Sequence, residues 1–417
     1  MNAAEQTLDA HESDPRKLQW MRGAPPPTDK LIRYVDGSFY RFPQTRWSFS
    51  HWRQFWPTVD VARGVGAVRD LPAYERTDLD QVSFTPMGGG TSMTWADSLY
   101  ANYTDGIVVL HRGRNIYERY FGELTPARLH VCFSVTKSVF GTLAAMLIAE
   151  GALERDQLVA HYIPELRRSG FGDATIGQVL DMTTAIDFME NYSGSAPPTM
   201  KAYSRAIGFA SRGAGEPPKS IYSFLAGVQK QSTHGDAFTY RTPNTDVVGW
   251  LIARATGRSP ADVLSERIWS RIGAEADGFL VIDEDGTPQV GLSLNIRLGD
   301  LARFGELIRM GGCIDGEEII PPRVIADIRG GGSRNAFAKS SYTQLRGWSY
   351  RNQWWVTHDE HEAFMARGIH GQAIYIDPAA EMVIARFASH PLASNTNLDP
   401  TSLPAYRAIA DHLMRTS

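Results

Sequence analysis

The sequence predicts an α/β chain of the α+β type: an antiparallel sheet flanked by helices, with a mostly helical domain inserted. Three observations point there. Strand-like segments lie near both ends of the body, at 105–121 and at 354–387. Helical periods lie between them and at the C-terminus. From about 155 to 285 the pattern changes to short helices joined by long loops. The domains expected are an N-terminal arm and wrap at 1–100, an α/β domain from 101–160 and 286–417, and a mainly helical domain at 161–285.

Taken in order, residues 1–30 read as an extended arm stiffened by Pro25-Pro26-Pro27. Trp47, Phe49, Trp52, Phe55 and Trp56 then mark a segment that wraps onto the body. Gly88-Gly89-Gly90 lacks the strand and helix needed for phosphate binding. Ile107-Val108-Val109-Leu110, a polar turn, and Ile116 to Phe121 form a β-hairpin pattern. Val135, Val139, Leu143, Leu147 and Ile148 keep helical spacing up to Gly151. Ile176 to Met182 and Pro260 to Ile272 read as helices, with a long loop at 186–220 between them. Gly299 to Arg309, Pro322 to Arg329 and Pro404 to Arg415 are helical, whereas Trp354 to Val356, Gln372 to Ile376 and Met382 to Phe387 are strands.

Composition excludes several function classes. The net charge of -4 and pI of about 6.3 argue against nucleic acid and anionic membranes as partners. Two cysteines, Cys132 and Cys313, make no disulfide framework and no CxxC zinc pair. Cys132 reads as a small core residue. His358-Asp359-Glu360-His361-Glu362 is not HExxH and reads as a solvated charged turn. Asp181, Asp187 and Glu190 lack a glycosidase context. No metal or cofactor is implied. The N-terminus lacks the basic and apolar regions of a signal peptide, and no run reaches ~20 apolar residues. The expectation is a cytoplasmic protein, and a homodimer is compatible with it.

One short motif carries chemistry. Ser134 and Lys137 stand three residues apart at the head of an apolar helix. That spacing puts a hydroxyl and an amine on one face, where a desolvated lysine takes the serine proton and makes a nucleophile. The positive end of the helix dipole favours an anion there. The chain has seven lysines, so about 0.4 such pairs arise by chance. On this motif alone, a capping serine beside a solvated lysine is an equal alternative.

Five further segments accompany it: Leu180-Asp181-Met182, 187–192 (DFMENY), 240–246 (YRTPNTD), Gln353-Trp354-Trp355 and 368–372 (GIHGQ). With FSVTKS at 133–138, they resemble, in order and spacing, the serine β-lactamase and penicillin-binding protein superfamily. The class C-like branch is the nearer match, and within it the nylon-oligomer (6-aminohexanoate-dimer) hydrolases. The resemblance covers about residues 100–390 and implies the β-lactamase-like fold. It implies that Ser134 is the nucleophile, Lys137 its base and Tyr240 the proton relay, with a phenol pKa depressed by the lysine cation. The family's Tyr-x-Asn has Thr242 at its third position, with Asn244 further on. The Lys-Thr-Gly strand is replaced by Arg367-Gly368-Ile369, which argues against β-lactams; Arg367 replaces the lost charge or points away. The Ile369 N–H pairs with that of Ser134 as an oxyanion hole. Tyr192, Asn244, Trp355 and His370 are the substrate-binding candidates; Tyr203 and Arg205 lie in the same loop. The substrates implied are small linear amides of the 6-aminohexanoate-dimer type. The alternatives are esters or acyl transfer on the same site, and a non-catalytic ligand-binding relative.

Overall fold

The computed structural model describes residues 8–191, 196–210 and 220–416. Its centre is a seven-stranded antiparallel sheet. The strands are β1 (Thr104–His111), β2 (Arg114–Tyr120), β3 (Ser349–Arg351), β4 (Trp354–Val356), β5 (Phe364–Gly368), β6 (Gln372–Asp377) and β7 (Met382–Ala388). The order is β3-β4-β5-β6-β7-β1-β2, so β7 joins the two ends of the chain, with Ile384 opposite Val109.

Alternation along β1 explains the layers. Val108 and Leu110 enter one apolar cluster; Ile107 and Val109 enter another on the opposite face. A sheet covered on both sides needs apolar residues at every position, and all four are buried. Helices α1 (Val135–Ala149) and α4 (Leu298–Arg309) cover the first face. Helix α5 (Asp399–Thr416) covers the second through Tyr406, Ile409 and Leu413.

Helix α1 is buried on every side from Val135 to Leu147, not along one stripe as its spacing suggests. It lies between the sheet and α3 (Pro243–Thr256). A Cβ at Gly141 would sit 2.3 Å from the Asn352 carbonyl oxygen, so this crossing requires glycine.

A smaller four-stranded antiparallel sheet holds His130–Val131, Asn295–Ile296, Gly278–Val281 and Thr58–Val61. It stitches the N-terminal segment to the strand that leads into Ser134. The aromatic segment does wrap the body: Phe39, Phe49 and Trp52 are buried with Phe133 in one cluster. The arm is less extended than expected, with a helical turn at Pro15–Leu18. The loop 186–220 contains helix α2 (Pro198–Ala206). Tyr34 and Trp56 donate to the Gly208 carbonyl just past it. The 358–362 turn is not wholly solvated, because His361 is buried and bonded to Asp377 at 2.8 Å. No described helix is long and apolar enough to cross a membrane.

Candidate active site

His130–Val131 runs into a tight turn before α1. Phe133 takes a left-handed φ of 42°, a strained choice for an aromatic residue, and Ser134 opens the helix. Lys137 lies one turn on and is fully buried. Its Nζ is 2.9 Å from Ser134 Oγ and donates to the Gly291 carbonyl at 2.5 Å. Burial pushes its pKa down from 10.5 to about 8, against the pull of Glu190 and Asp246. The solvated-lysine alternative is thereby removed.

Tyr240 closes the other side. Lys137 Nζ sits 5.2 Å from its ring centroid. The phenol differs from expectation: burial holds its pKa well above the ordinary range, and a hydrogen bond with Ser134 offsets this only in part. The lysine charge meets the ring and does not depress the phenol. Tyr240 is therefore a neutral hydroxyl, suited to relaying a proton rather than to acting as a phenolate.

The Ile369 turn adjoins Ser134. A Cβ at Gly368 would lie 2.7 Å from the Cys132 carbonyl oxygen, so only glycine lets β5 approach this closely. The β5–β6 ladder ends with Gly368 opposite Gln372, leaving Ile369 one residue beyond it. The start of α1 and the end of β5 thus stand side by side. Cys132 itself is buried, and burial raises its thiol pKa.

Other expected residues are placed differently. Asn244 is fully buried; it accepts from Thr184 Oγ1 at 2.7 Å and donates to the Arg241 carbonyl at 3.1 Å. Its carboxamide locks the start of α3 and is not free to touch substrate. Trp355 is buried and stacked on Tyr240, 5.6 Å between centroids, and so backs that ring from behind. His370 is buried among aromatics, with Nδ1 on the His390 carbonyl and Nε2 on the Tyr40 hydroxyl. Burial lowers its pKa to about 4, so both ring nitrogens are spoken for in a neutral imidazole. Tyr192 lies outside the described residues. Arg367 points away, paired with Asp399 and set against Trp355.

Two carboxylates lie in segments the sequence reading quoted, but neither was read as part of the site. Asp246, buried in the first turn of α3, accepts from Tyr203 at 2.6 Å, and burial raises its pKa toward neutral conditions while Lys137 lowers it. Glu190 accepts from the Thr242 N–H and hydroxyl at 2.6 and 2.8 Å. The signal for the first was its place at the end of the 240–246 segment, in the first turn after Pro243.

A cleft of about 900 Å³ opens beside Tyr240, lined among others by Phe188, Glu190, Lys339, Tyr342 and Asn397. A second cavity, of about 860 Å³, lies near Arg69 and Arg309, whose charges are already paired with Asp315 and Glu306.

The family pattern described as Beta-lactamase matches residues 96–402. The 6-aminohexanoate-dimer hydrolase of Paenarthrobacter ureafaciens is 31% identical over 356 residues, 85% of this chain and 88% of that one. A Bacillus anthracis protein provisionally named 6-aminohexanoate-dimer hydrolase superposes with a TM-score of 0.83 at 30% identity, covering 94% of this chain and 99% of its own. That coverage reaches into the first hundred residues, beyond the motif resemblance. A family VIII carboxylesterase shares the fold, with a TM-score of 0.55 at 16% identity, over 75% of this chain and 96% of that one. The chain belongs to the β-lactamase family and is a serine hydrolase of that fold.

Proposed function

We propose that the protein hydrolyses small linear amides of the 6-aminohexanoate-dimer type through an acyl-enzyme on Ser134. The observation that carries this reading is the buried Lys137 amine, 2.9 Å from Ser134 Oγ with its pKa lowered to about 8. Neutral Lys137 takes the hydroxyl proton as Oγ bonds to the amide carbon. The carbonyl electron pair moves onto oxygen, held by the Ser134 and Ile369 N–H groups. When the tetrahedral centre collapses, the C–N bond breaks and the leaving nitrogen takes a proton from the Tyr240 hydroxyl. Lys137 returns a proton to Tyr240. Water then adds to the acyl carbon as Lys137 accepts its proton; the second tetrahedral centre collapses, the carbon–Oγ bond breaks, Lys137 returns the proton to Ser134 Oγ, and the acid departs. The cleft lining includes both charge signs, Glu190, which accepts from Thr242, and Lys339, which pairs with Asp236 at the surface. That suits a small molecule with an ammonium and a carboxylate end. The likeness to the Paenarthrobacter enzyme supports the amide as substrate.

The test runs the linear amide dimer and a p-nitrophenyl ester series in parallel and follows the mass of the Ser134 peptide. The expected result is amide product, an acyl mass shift on Ser134, and loss of both in Ser134→Ala by more than about 10⁴-fold. Ester turnover with no amide product would replace this reading with an esterase or acyltransferase. A wild type that no acyl donor or fluorophosphonate labels would replace it with a ligand-binding protein.

A further inference from the structure

Two residues beside the candidate oxyanion donors have left-handed backbones although neither is glycine: Phe133 at φ 42°, directly before Ser134, and His370 at φ 62°, directly after Ile369. Non-glycine residues hold such conformations only where their surroundings over-determine them. Here the surroundings are one set of rings from the N-terminal segment. Phe49 lies 4.9 Å from Phe133 and 5.1 Å from His370, centroid to centroid. Tyr40 lies 6.3 Å from Phe133 and 5.5 Å from His370, and Ile369 packs on the same cluster.

One polar tie runs through this apolar contact. His370 Nδ1 faces the His390 carbonyl at 2.7 Å, so Nδ1 bears the proton. Nε2 is then the acceptor, and the Tyr40 hydroxyl donates to it at 3.1 Å. The His370 ring is gripped from both sides, and its backbone is held as well, its N–H donating to the Ala393 carbonyl at 3.0 Å and its carbonyl accepting from the His390 N–H at 3.1 Å.

We propose that Tyr40 is a positioning residue for the acyl-transfer step. It ties the N-terminal segment to His370 and, through the shared rings, sets the two turns that carry the Ser134 and Ile369 N–H groups. The inference rests on the acyl-enzyme reading above. It gives the first hundred residues a function, since the wrap is part of the oxyanion wall. Donors that stabilise a transition state depend steeply on their placement, so a small relaxation of either turn shows in kcat.

The experiment compares Tyr40→Phe with Tyr34→Phe. Both keep the ring and remove one hydroxyl from the same segment. Tyr34 donates to the Gly208 carbonyl instead, on the α2 side of the wrap. Each variant is titrated with a fluorophosphonate, and kcat and KM are expressed per labelled Ser134. Affinity for an arylboronic acid, which forms a tetrahedral adduct on the serine, is measured alongside the melting temperature. Tyr40→Phe is expected to lose about tenfold in kcat and in boronate affinity, with KM within twofold. Tyr34→Phe is expected to keep both while its melting temperature falls by a similar amount. Unchanged kcat and boronate affinity in Tyr40→Phe, or equal losses in the two variants, overturn the proposal and leave the hydrolase reading intact. A wild type that takes up neither probe sinks the hydrolase reading and this inference with it.

Discussion

The two walls of the cleft are built on opposite principles. One wall, formed by the start of α1, the start of α3 and the end of β5, puts its polar groups under cover: Lys137 and Asp246 are buried, and their pKa values are moved toward each other by burial. The other wall, from Asp187 to Asn191 and Lys339 to Tyr342, lines the open cleft. There Lys339 pairs with Asp236, both more than half exposed. Water shields charges on the second wall, so changing them costs little. On the first wall each group is desolvated, so its protonation is set by its neighbours and a change reaches the chemistry. On the proposed acyl-enzyme reading, reactivity belongs to the covered wall and selectivity to the open one, with Glu190 the open-wall residue whose charge reaches Lys137.

The largest break in this comparison is Lys137→Met. Losing the base is expected to lower kcat/KM by about 10³–10⁴-fold. Stability is expected to move the other way. A lysine pKa lowered from 10.5 to about 8 makes the buried ammonium cost about 3 kcal/mol at pH 7. The lost hydrogen bonds to Ser134 and Gly291 offset about 2 kcal/mol of that. The balance is a small net gain at pH 7, reduced because Asp246 and Glu190 lose the charge that attracts them. The folded state binds fewer protons than the unfolded chain between about pH 8 and 10.5, so wild-type stability rises with pH across that window and the variant's advantage fades. Urea unfolding at pH 7 and pH 10 checks both signs; a variant less stable at pH 7 contradicts the cost of the covered wall.

Tyr240→Phe is the next largest. A neutral phenol that protonates a leaving amine matters for amides and hardly at all for p-nitrophenolate, which departs without a proton. The expected loss is about 10²-fold for the linear amide and under about threefold for the p-nitrophenyl ester. Equal losses on both substrates would mean that Tyr240 acts on Ser134 instead.

Asp246→Asn tests the pairing inside the covered wall. The Asp246 carboxylate raises the Lys137 pKa against burial. Without that charge the neutral amine is favoured further. The ascending limb of kcat/KM against pH, expected near pH 8 in the wild type, should shift toward acid by about one unit. A limb that stays in place would show that Asp246 does not act on Lys137 and that Glu190 alone opposes burial.

How far each wall was legible in the sequence follows from the same contrast. The β1–β2 hairpin and α1 were readable because period and spacing are local signals, whereas Ser134 and Lys137 were an even choice on spacing alone and Tyr240 entered only through the family resemblance. What those residues experience was not readable. Tyr240 looked like a phenol depressed by a neighbouring cation, yet Lys137 sits over its ring and burial raises its pKa instead. Asn244 and His370 looked like substrate ligands because they follow Tyr240 and Ile369 closely. Their polar atoms turn out to be consumed by Thr184, Arg241, His390 and Tyr40, partners 3 to 330 residues away. Helix α2 was hidden by the Pro- and Gly-rich composition around it, and α3 by the motif at its start. Burial and long-range partnering are sums over the whole fold, and no window of sequence contains them.

The smallest expected effect tests the open wall. Lys339→Ala removes an exposed cation that pairs with Asp236. Stability should change by less than about 1 kcal/mol, because solvent screens such pairs. If the cleft meets a substrate carboxylate on this side, KM for the linear amide rises several-fold with kcat within twofold, and the KM of an uncharged ester stays level. Ground-state attraction lost without transition-state loss has that signature. A fall in kcat with unchanged KM would instead place Lys339 in contact with the reacting centre. The division between a covered, reactive wall and an open, selective one would then fail at the residue where it predicts least.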